Sequence, residues 1–199
     1  MKEFRESFVE DINNVPNEWF KEGQNKELIY KFVAYYLAFS ACYERFALIQ
    51  EEKCNQNERN FNKLGKMERY VEENGTELAK LIDFSSPELE IFFKYPVLDG
   101  FEKPKEGVNY LDKNYVQKGQ KKPIKRYRNL VLAKTQEEKT LYLLETVQRI
   151  RNNLFHGEKV PRNERDLELI KASVFVLESI KDFLIDDFKY NWAYSKVFK

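Results

Sequence analysis

The residues with the clearest chemical potential occupy seven consecutive positions, Arg151 to Gly157, which include the only histidine in the chain. Histidine is the one side chain whose unperturbed pKa lets it gain or lose a proton near neutral pH. Arginine carries a rigid fork of donors that matches phosphate and carboxylate oxygens. His156 is therefore the first candidate for proton transfer, and Arg151 is the first candidate for anion binding.

Arg151 also has an unusual position on its predicted helix. At a step of about 100° per residue, one arc of this helix is apolar, and it carries Leu143, Val147, Ile150 and Leu154. Arg151 falls inside the same arc. A guanidinium there is costly unless it is paired or faces a wet cavity. We therefore expect either a partner or a chemical role for Arg151.

The same residues fit a purely structural interpretation. Gly157 is typical of the position just after a helix, and Arg151, His156 and Lys159 would then be cations near a helix C-terminus, where the macrodipole favours them. On an unbroken helix His156 would point about 140° away from Arg151. The two side chains converge only if the helix ends between them or if a second copy supplies the partner. Spacing alone leaves both interpretations open.

The pattern Arg151-Asn152-x-x-x-His156, after an amphipathic helix and before Gly157, resembles the Arg-x4–6-His motif of the HEPN superfamily. The residue after the arginine is typically polar in that family, often asparagine, and Asn152 matches. The form of the motif is similar to that of branches associated with prokaryotic toxin and antiviral defence systems. Glu44 is a candidate for the acidic residue that some members carry on an earlier helix.

The resemblance implies metal-independent cleavage of RNA, with a 2′,3′-cyclic phosphate and a 5′-hydroxyl as products and with no cofactor. His156 would be the general base or acid, Arg151 would hold the phosphate, and Asn152 would orient the phosphate or the arginine. It also implies a homodimer with a composite active site, with an antitoxin or regulatory protein as a further possible partner. The alternative is a non-catalytic HEPN-like module that binds RNA, nucleotide or a partner protein.

The elements that must position these residues are helices. The sequence predicts a single all-α domain over residues 1–199, an up-and-down bundle of about five helices. The expected helices cover residues 2–14, 26–52, 58–73, 135–153 and 163–190, with a further short one after Ser86-Pro87. Pro16 is expected to end the first helix. Thr135 with Glu138 forms a capping-box pattern, and the aromatic residues of 26–52 are expected to form core.

Residues 101–134 differ from the rest because glycine and proline interrupt them and apolar periodicity is lost. They contain ten basic and three acidic residues, a net charge of +7, and are predicted to form a long loop insertion. Basic residues attract phosphates, and aromatic rings stack on unpaired bases. The predicted RNA-binding residues are Lys121, Lys122, Lys125, Arg126, Tyr127 and Arg128, with Tyr115 as a second stacking candidate. The alternative is a flexible, solvated loop.

The formal charge of the whole chain is only +1, so any attraction to nucleic acid must be local. A lone histidine supports no metal site, because catalytic zinc uses about three protein ligands. The apolar run 32–39 is far shorter than the roughly 20 residues that span a bilayer, and residues 1–6 lack the apolar run of a secretion signal. With Cys42 and Cys54 as free thiols, a soluble cytoplasmic protein is expected. The charged residues of the last helix are expected to be solvated: Lys181, Asp182, Asp186 and Asp187.

Overall fold

The computed structural model describes residues 15–53, 65–99, 102–155 and 164–193. These residues contain no strand, so the all-α class is confirmed, but they form eight α-helices rather than about five. The chain divides into two compact units, residues 74–176 and the remainder. The helices are α1 (Val15–Gln24), α2 (Leu28–Lys53), α3 (Lys66–Leu81), α4 (Glu90–Lys94), α5 (Lys121–Leu132), α6 (Gln136–Phe155), α7 (Glu164–Ser179) and α8 (Lys181–Ala193).

Helix α1 was not expected, because Pro16 was taken as a helix stop. Proline in the first turn loses no helical hydrogen bond, since the first N–H groups have no partner within the helix. Pro16 therefore lies in the first turn of α1. The predicted helix 2–14 lies outside the described residues. A Cβ added at Gly23 would lie 3.0 Å from the Cβ of Ala34, so this glycine permits close packing of α1 on α2.

Helix α2 matches the predicted helix 26–52, and its aromatic residues form core as expected. Phe32, Tyr35, Tyr36 and Phe39 are each at most 3% exposed, whereas Tyr30 is 47% exposed. Neighbouring rings meet edge to face, as in the Tyr36–Phe39 pair with centroids 6.2 Å apart. The buried aromatic residues of α2 thus form a central part of the core of the first unit.

Helix α2 is also long and apolar enough to cross a membrane by length and composition. The segment Leu28–Gln50 has a mean hydropathy of 1.2, and 56% of the tested window is buried within the chain. It is much longer than the apolar run 32–39 recognised in the sequence. The core helix of a soluble protein passes the same test, so this property does not distinguish a core helix from a membrane span.

The predicted long helix 163–190 is two helices, α7 and α8, separated by a turn at the buried Ile180. No glycine or proline marks this break. Helix α8 packs on α2, where the thiol of Cys42 donates to the Leu184 carbonyl at 3.4 Å. Asp187 does not belong to a solvated face: it is half-buried and accepts a hydrogen bond of 2.8 Å from the Tyr70 hydroxyl.

In the second unit, the short helix expected after Ser86-Pro87 is confirmed as a 3₁₀ turn followed by α4. The helix predicted at 58–73 is observed as α3, and residues 54–64 lie outside the described part of the chain. Helix α3 extends eight residues beyond the predicted end at residue 73, through Asn74 and Gly75.

The predicted loop 101–134 contains helix α5, which was missed because Pro123 was taken as a helix breaker. Pro123 is the third residue of α5, where its missing N–H costs no helical bond. The preceding residues 102–120 pack on α5 through a cluster of Tyr110, Ile124 and Tyr127. Residues 121–132 are therefore helical and several side chains before them are packed, whereas the lysines of the segment are exposed.

Candidate functional site

Helix α6 carries the Arg151 motif and begins with the predicted cap. The backbone N–H of Glu138 donates to Thr135 Oγ1 at 3.2 Å, which confirms Thr135 as the N-cap. The Glu138 carboxylate accepts from the backbone N–H of Lys134 at 2.8 Å, one residue before the bond of a standard capping box. These bonds fix the start of the helix that ends at the motif.

Three residues of the predicted apolar arc of α6 are buried, with Leu143 and Val147 0% exposed and Ile150 4% exposed, whereas Leu154 is half-buried. Two polar contacts, from Arg149 to Asp99 and from Asn153 to Leu98, tie α6 to the segment that follows α4. Arg149 Nε donates to Asp99 Oδ1 at 2.7 Å, which forms a half-buried ion pair. The last turns of α6 are therefore held by side-chain bonds as well as by apolar packing.

Arg151 lies half-buried in the last turn of α6 and makes two short-range contacts. Its Nη1 donates to Asn152 Oδ1 at 3.0 Å. Its guanidinium carbon lies 4.2 Å from the centroid of the Phe155 ring, which is a cation–π contact. The expectation that Arg151 has a partner is met, and Asn152 and Phe155 together restrict where its fork can point.

His156, Gly157 and Lys159 lie outside the described residues, and so does Cys54. Phe155, the last described residue of α6, is 55% exposed. The described part of the motif therefore presents a guanidinium and an open aromatic ring, and the only histidine of the chain follows them directly in sequence. Such a set of groups can bind a phosphate and contact the base beside it.

Asn153, which follows Asn152 in the motif, is fully buried. Its Nδ2 donates to the Leu98 carbonyl at 3.2 Å. Its Oδ1 has no hydrogen-bond partner among the described residues. The signal was present in the spacing, because Asn153 lies three and seven residues after the buried Ile150 and Thr146 and so shares their face of the helix. Asn153 is a structural residue of the site that sequence reasoning missed.

The structure divides the predicted RNA-binding residues into an exposed and a packed group. Lys121, Lys122 and Lys125 are exposed on α5. Arg126 is half-buried with its Nε 3.8 Å from the Glu145 carboxylate. The exposed lysines remain available to a polyanion, and Arg126 already has an acidic neighbour.

Tyr127 and Arg128, also predicted as RNA contacts, have hydrogen-bond partners inside the protein. Tyr127 is buried and donates to the Phe93 carbonyl at 2.9 Å; burial raises the pKa of its hydroxyl. Arg128 donates to the Tyr110 carbonyl at 2.7 Å and to two further loop carbonyls. The half-buried Tyr115 packs edge to face on Tyr110, with centroids 5.3 Å apart. These side chains build the loop and offer no free ring to a base.

Glu44, the candidate acidic residue, is exposed and forms an ion pair with Lys66 at 2.5 Å. This exposed pair has no feature that points to catalysis. No group of three or more His, Cys, Asp or Glu side chains able to hold a metal ion occurs in the part of the chain that the structure describes. No protein-family model, curated protein or solved structure matches the chain.

Proposed function

We propose that this protein is a metal-independent endoribonuclease of HEPN type that acts in a prokaryotic toxin or antiviral defence system. The observation that carries the proposal is the arrangement at the end of α6. The Arg151 guanidinium is held by Asn152 and Phe155 in the last helical turn, and the only histidine of the chain comes next. The helical architecture is compatible with such a domain.

The reaction is an attack of a ribose 2′-hydroxyl on the adjacent phosphate. His156 accepts the hydroxyl proton, the 2′-oxygen forms a bond to phosphorus, and the bond from phosphorus to the 5′-oxygen breaks. A proton is delivered to the leaving 5′-oxygen. The products are a 2′,3′-cyclic phosphate and a 5′-hydroxyl, so no water, metal ion or cofactor is consumed in this step.

Arg151 binds the non-bridging oxygens of the phosphate and stabilises the charge that develops on them. A donor fixed before the reaction stabilises the transition state more than one that must reorient, because no reorganisation is needed when charge develops. Asn152 accepts a hydrogen bond from Arg151 and therefore orients it. This gives Asn152 a positioning role rather than a direct chemical one.

A second copy of the chain supplies the second proton-transfer group. One histidine cannot easily serve as base and acid in the same step, and two copies facing one cleft provide two imidazoles. The active form is therefore a homodimer with a composite site. An antitoxin or regulatory protein that covers this cleft would control it.

The exposed lysines of α5 bind the RNA backbone beside the cleft. These side chains, Lys121, Lys122 and Lys125, give α5 a local positive charge, whereas the formal charge of the whole chain is only +1. Contacts of this kind supply affinity without sequence preference and weaken with salt. In such an enzyme the lysines bind RNA of any sequence, and the groups at the end of α6 select the bond that is cut.

Incubation of the purified protein with mixed RNA in the presence of a chelator tests the proposal, with end-group analysis of the products. The wild-type protein is expected to release 2′,3′-cyclic phosphate ends, and His156→Ala is expected to lower the rate by about 100- to 10,000-fold. Wild-type activity in His156→Ala would refute it. RNA binding without cyclic phosphate at any protein concentration would favour the non-catalytic binding module instead.

A further inference from the structure

The ring of Phe155 is large, apolar and open to solvent, beside the guanidinium of the proposed phosphate-binding arginine. The residue is 55% exposed even though Arg151 lies 4.2 Å from its ring centroid. An aromatic ring has two faces, and the guanidinium contacts one of them. Phe155 is thus not a core residue, and its contact with Arg151 uses only one face of the ring.

We infer that Phe155 is a stacking platform for the base of the nucleotide whose phosphate Arg151 binds. This inference rests on the proposed ribonuclease function. A base and its own phosphate belong to one nucleotide, so a guanidinium and a ring in van der Waals contact address both parts of the same nucleotide. Every base has a π face, so the platform gives affinity with little sequence preference.

The platform also defines the form of RNA that fits the site. In a duplex the faces of each base are covered by its neighbours, whereas an unpaired base can turn outward and stack on a protein ring. The nucleotide at Phe155 must therefore be unpaired, in a single strand, loop or bulge. The buried Tyr127 and the packed Tyr115 cannot take this role, so Phe155 carries it at the motif.

The test compares Phe155→Leu with wild type on RNA oligonucleotides that have an intact or an abasic nucleotide at the mapped cleavage site. Phe155→Leu keeps an apolar side chain but lacks a π face. A 2′-deoxy substitution at that nucleotide removes the nucleophile, so binding can be measured without cleavage. Loss of the base is expected to weaken binding to wild type by about tenfold. In Phe155→Leu the same change is expected to have no further effect, because the two partners of the stack act as a pair.

Leu132→Ala is the matched control, since Leu132 is 54% exposed on α5 and is an ordinary exposed apolar residue. It is expected to retain the wild-type difference between intact and abasic RNA. Equal binding of intact and abasic RNA by the wild-type protein would overturn the platform while its cleavage activity still stood. If Phe155→Leu instead abolished a dimer in sedimentation experiments and left the abasic effect unchanged, Phe155 would be a contact between copies, and the inference would be wrong.

Failure of the proposed function has a different signature. The wild-type protein would then yield no cyclic phosphate from any RNA, and no cleavage site could be mapped. Full cleavage by wild type together with unchanged kcat/KM in Phe155→Leu would refute only the platform. The wild-type reaction therefore tests the proposed function, and the comparison with Phe155→Leu tests the platform.

Discussion

Arg151 is held from two sides, by the amide of Asn152 and by the ring of Phe155. The sequence placed Arg151 correctly in the apolar arc of its helix, because periodicity reports which residues share a face. It did not reveal the contact with Phe155, which depends on side-chain conformation at the end of α6. The same periodicity separates the half-buried Asn152 from the buried Asn153, because only Asn153 shares the helix face of Thr146 and Ile150.

These two asparagines give a matched pair of predictions. Asn153→Ala removes the donor to the buried Leu98 carbonyl and is expected to lower the free energy of unfolding by about 1–3 kcal/mol. Asn152→Ala affects a half-buried side chain and is expected to cost less stability. Its main effect is on RNA cleavage, because the Arg151 fork is then less restricted. Urea unfolding and cleavage rates measure the two effects.

Two results would contradict the assignment of Asn153 to stability and of Asn152 to RNA cleavage. If Asn152→Ala unfolded at lower urea than Asn153→Ala, the buried hydrogen bond would not be the main contribution. If Asn153→Ala lost activity at full stability, Asn153 would have a direct role in the reaction.

At the scale of the elements, the main differences between expectation and structure arise from proline. Pro16 and Pro123 were taken as helix breakers, but each lies in the first turn of its helix. A proline indicates a helix boundary, but the helix can end before the proline or begin with it. The break at Ile180 is marked by neither glycine nor proline, and its one local signal is Ser179 three residues before Asp182, a pattern typical of a helix start. The capped start of α6 was predictable because its determinants are local.

Substitution by alanine is expected to change the free energy of unfolding in opposite directions at two helical glycines. A Cβ at Gly75 would meet the Glu137 side chain at an ordinary distance of 3.7 Å. Gly75→Ala is therefore expected to raise the free energy of unfolding by about 0.5–1 kcal/mol, as for glycine in a helix interior. At Gly23 the added Cβ would lie 3.0 Å from the Cβ of Ala34, and Gly23→Ala is expected to destabilise the protein.

Thermal unfolding of both variants measures the difference. The wild-type protein is expected to melt between them. A higher melting temperature for Gly23→Ala than for wild type would show that α1 does not pack on α2 as closely as described.

At the scale of the whole molecule, the charge is balanced overall but not locally. The chain carries +1, whereas residues 101–134 carry +7. Of the ten basic residues in that segment, only Arg126 and Arg128 are half-buried with partners inside the protein, and the eight lysines are exposed. The sequence could predict the number of charges but not which ones remain exposed, because burial depends on tertiary packing. Besides the three lysines of α5, five others in the segment are exposed to a partner: Lys103, Lys105, Lys113, Lys118 and Lys134.

The salt dependence of RNA binding tests the lysines of α5. Replacing Lys121, Lys122 and Lys125 together by glutamine is expected to reduce the slope of log K against log salt by about 2 for single-stranded RNA. A control with the same change in net charge replaces the exposed residues Lys21, Lys80 and Lys171. Equal slopes in the two triple variants would show that α5 has no special role in binding.

The dependence of stability on alkaline pH tests the burial of Tyr70 in the core of the first unit. Burial, chiefly, raises the pKa of Tyr70 well above 10.0, with smaller contributions from Cys42 and Asp187. The native state therefore keeps a proton that the unfolded chain loses above pH 10, so this contribution to stability is complete below that pH and is lost as pH rises above it. Tyr70→Phe is expected to show a shallower fall of unfolding free energy above pH 10. Parallel curves for the two proteins would contradict this account.

The central claim is that Arg151 and His156 cut RNA without a metal ion. The most direct measurement is the rate of 2′,3′-cyclic phosphate formation in a chelator, by wild type and by Arg151→Ala, with unfolding curves recorded on both proteins. The proposal predicts steady product formation by wild type and a loss of about 100- to 1,000-fold in Arg151→Ala, at similar stability. Equal rates in the two proteins, or no cyclic phosphate from wild type, would contradict it.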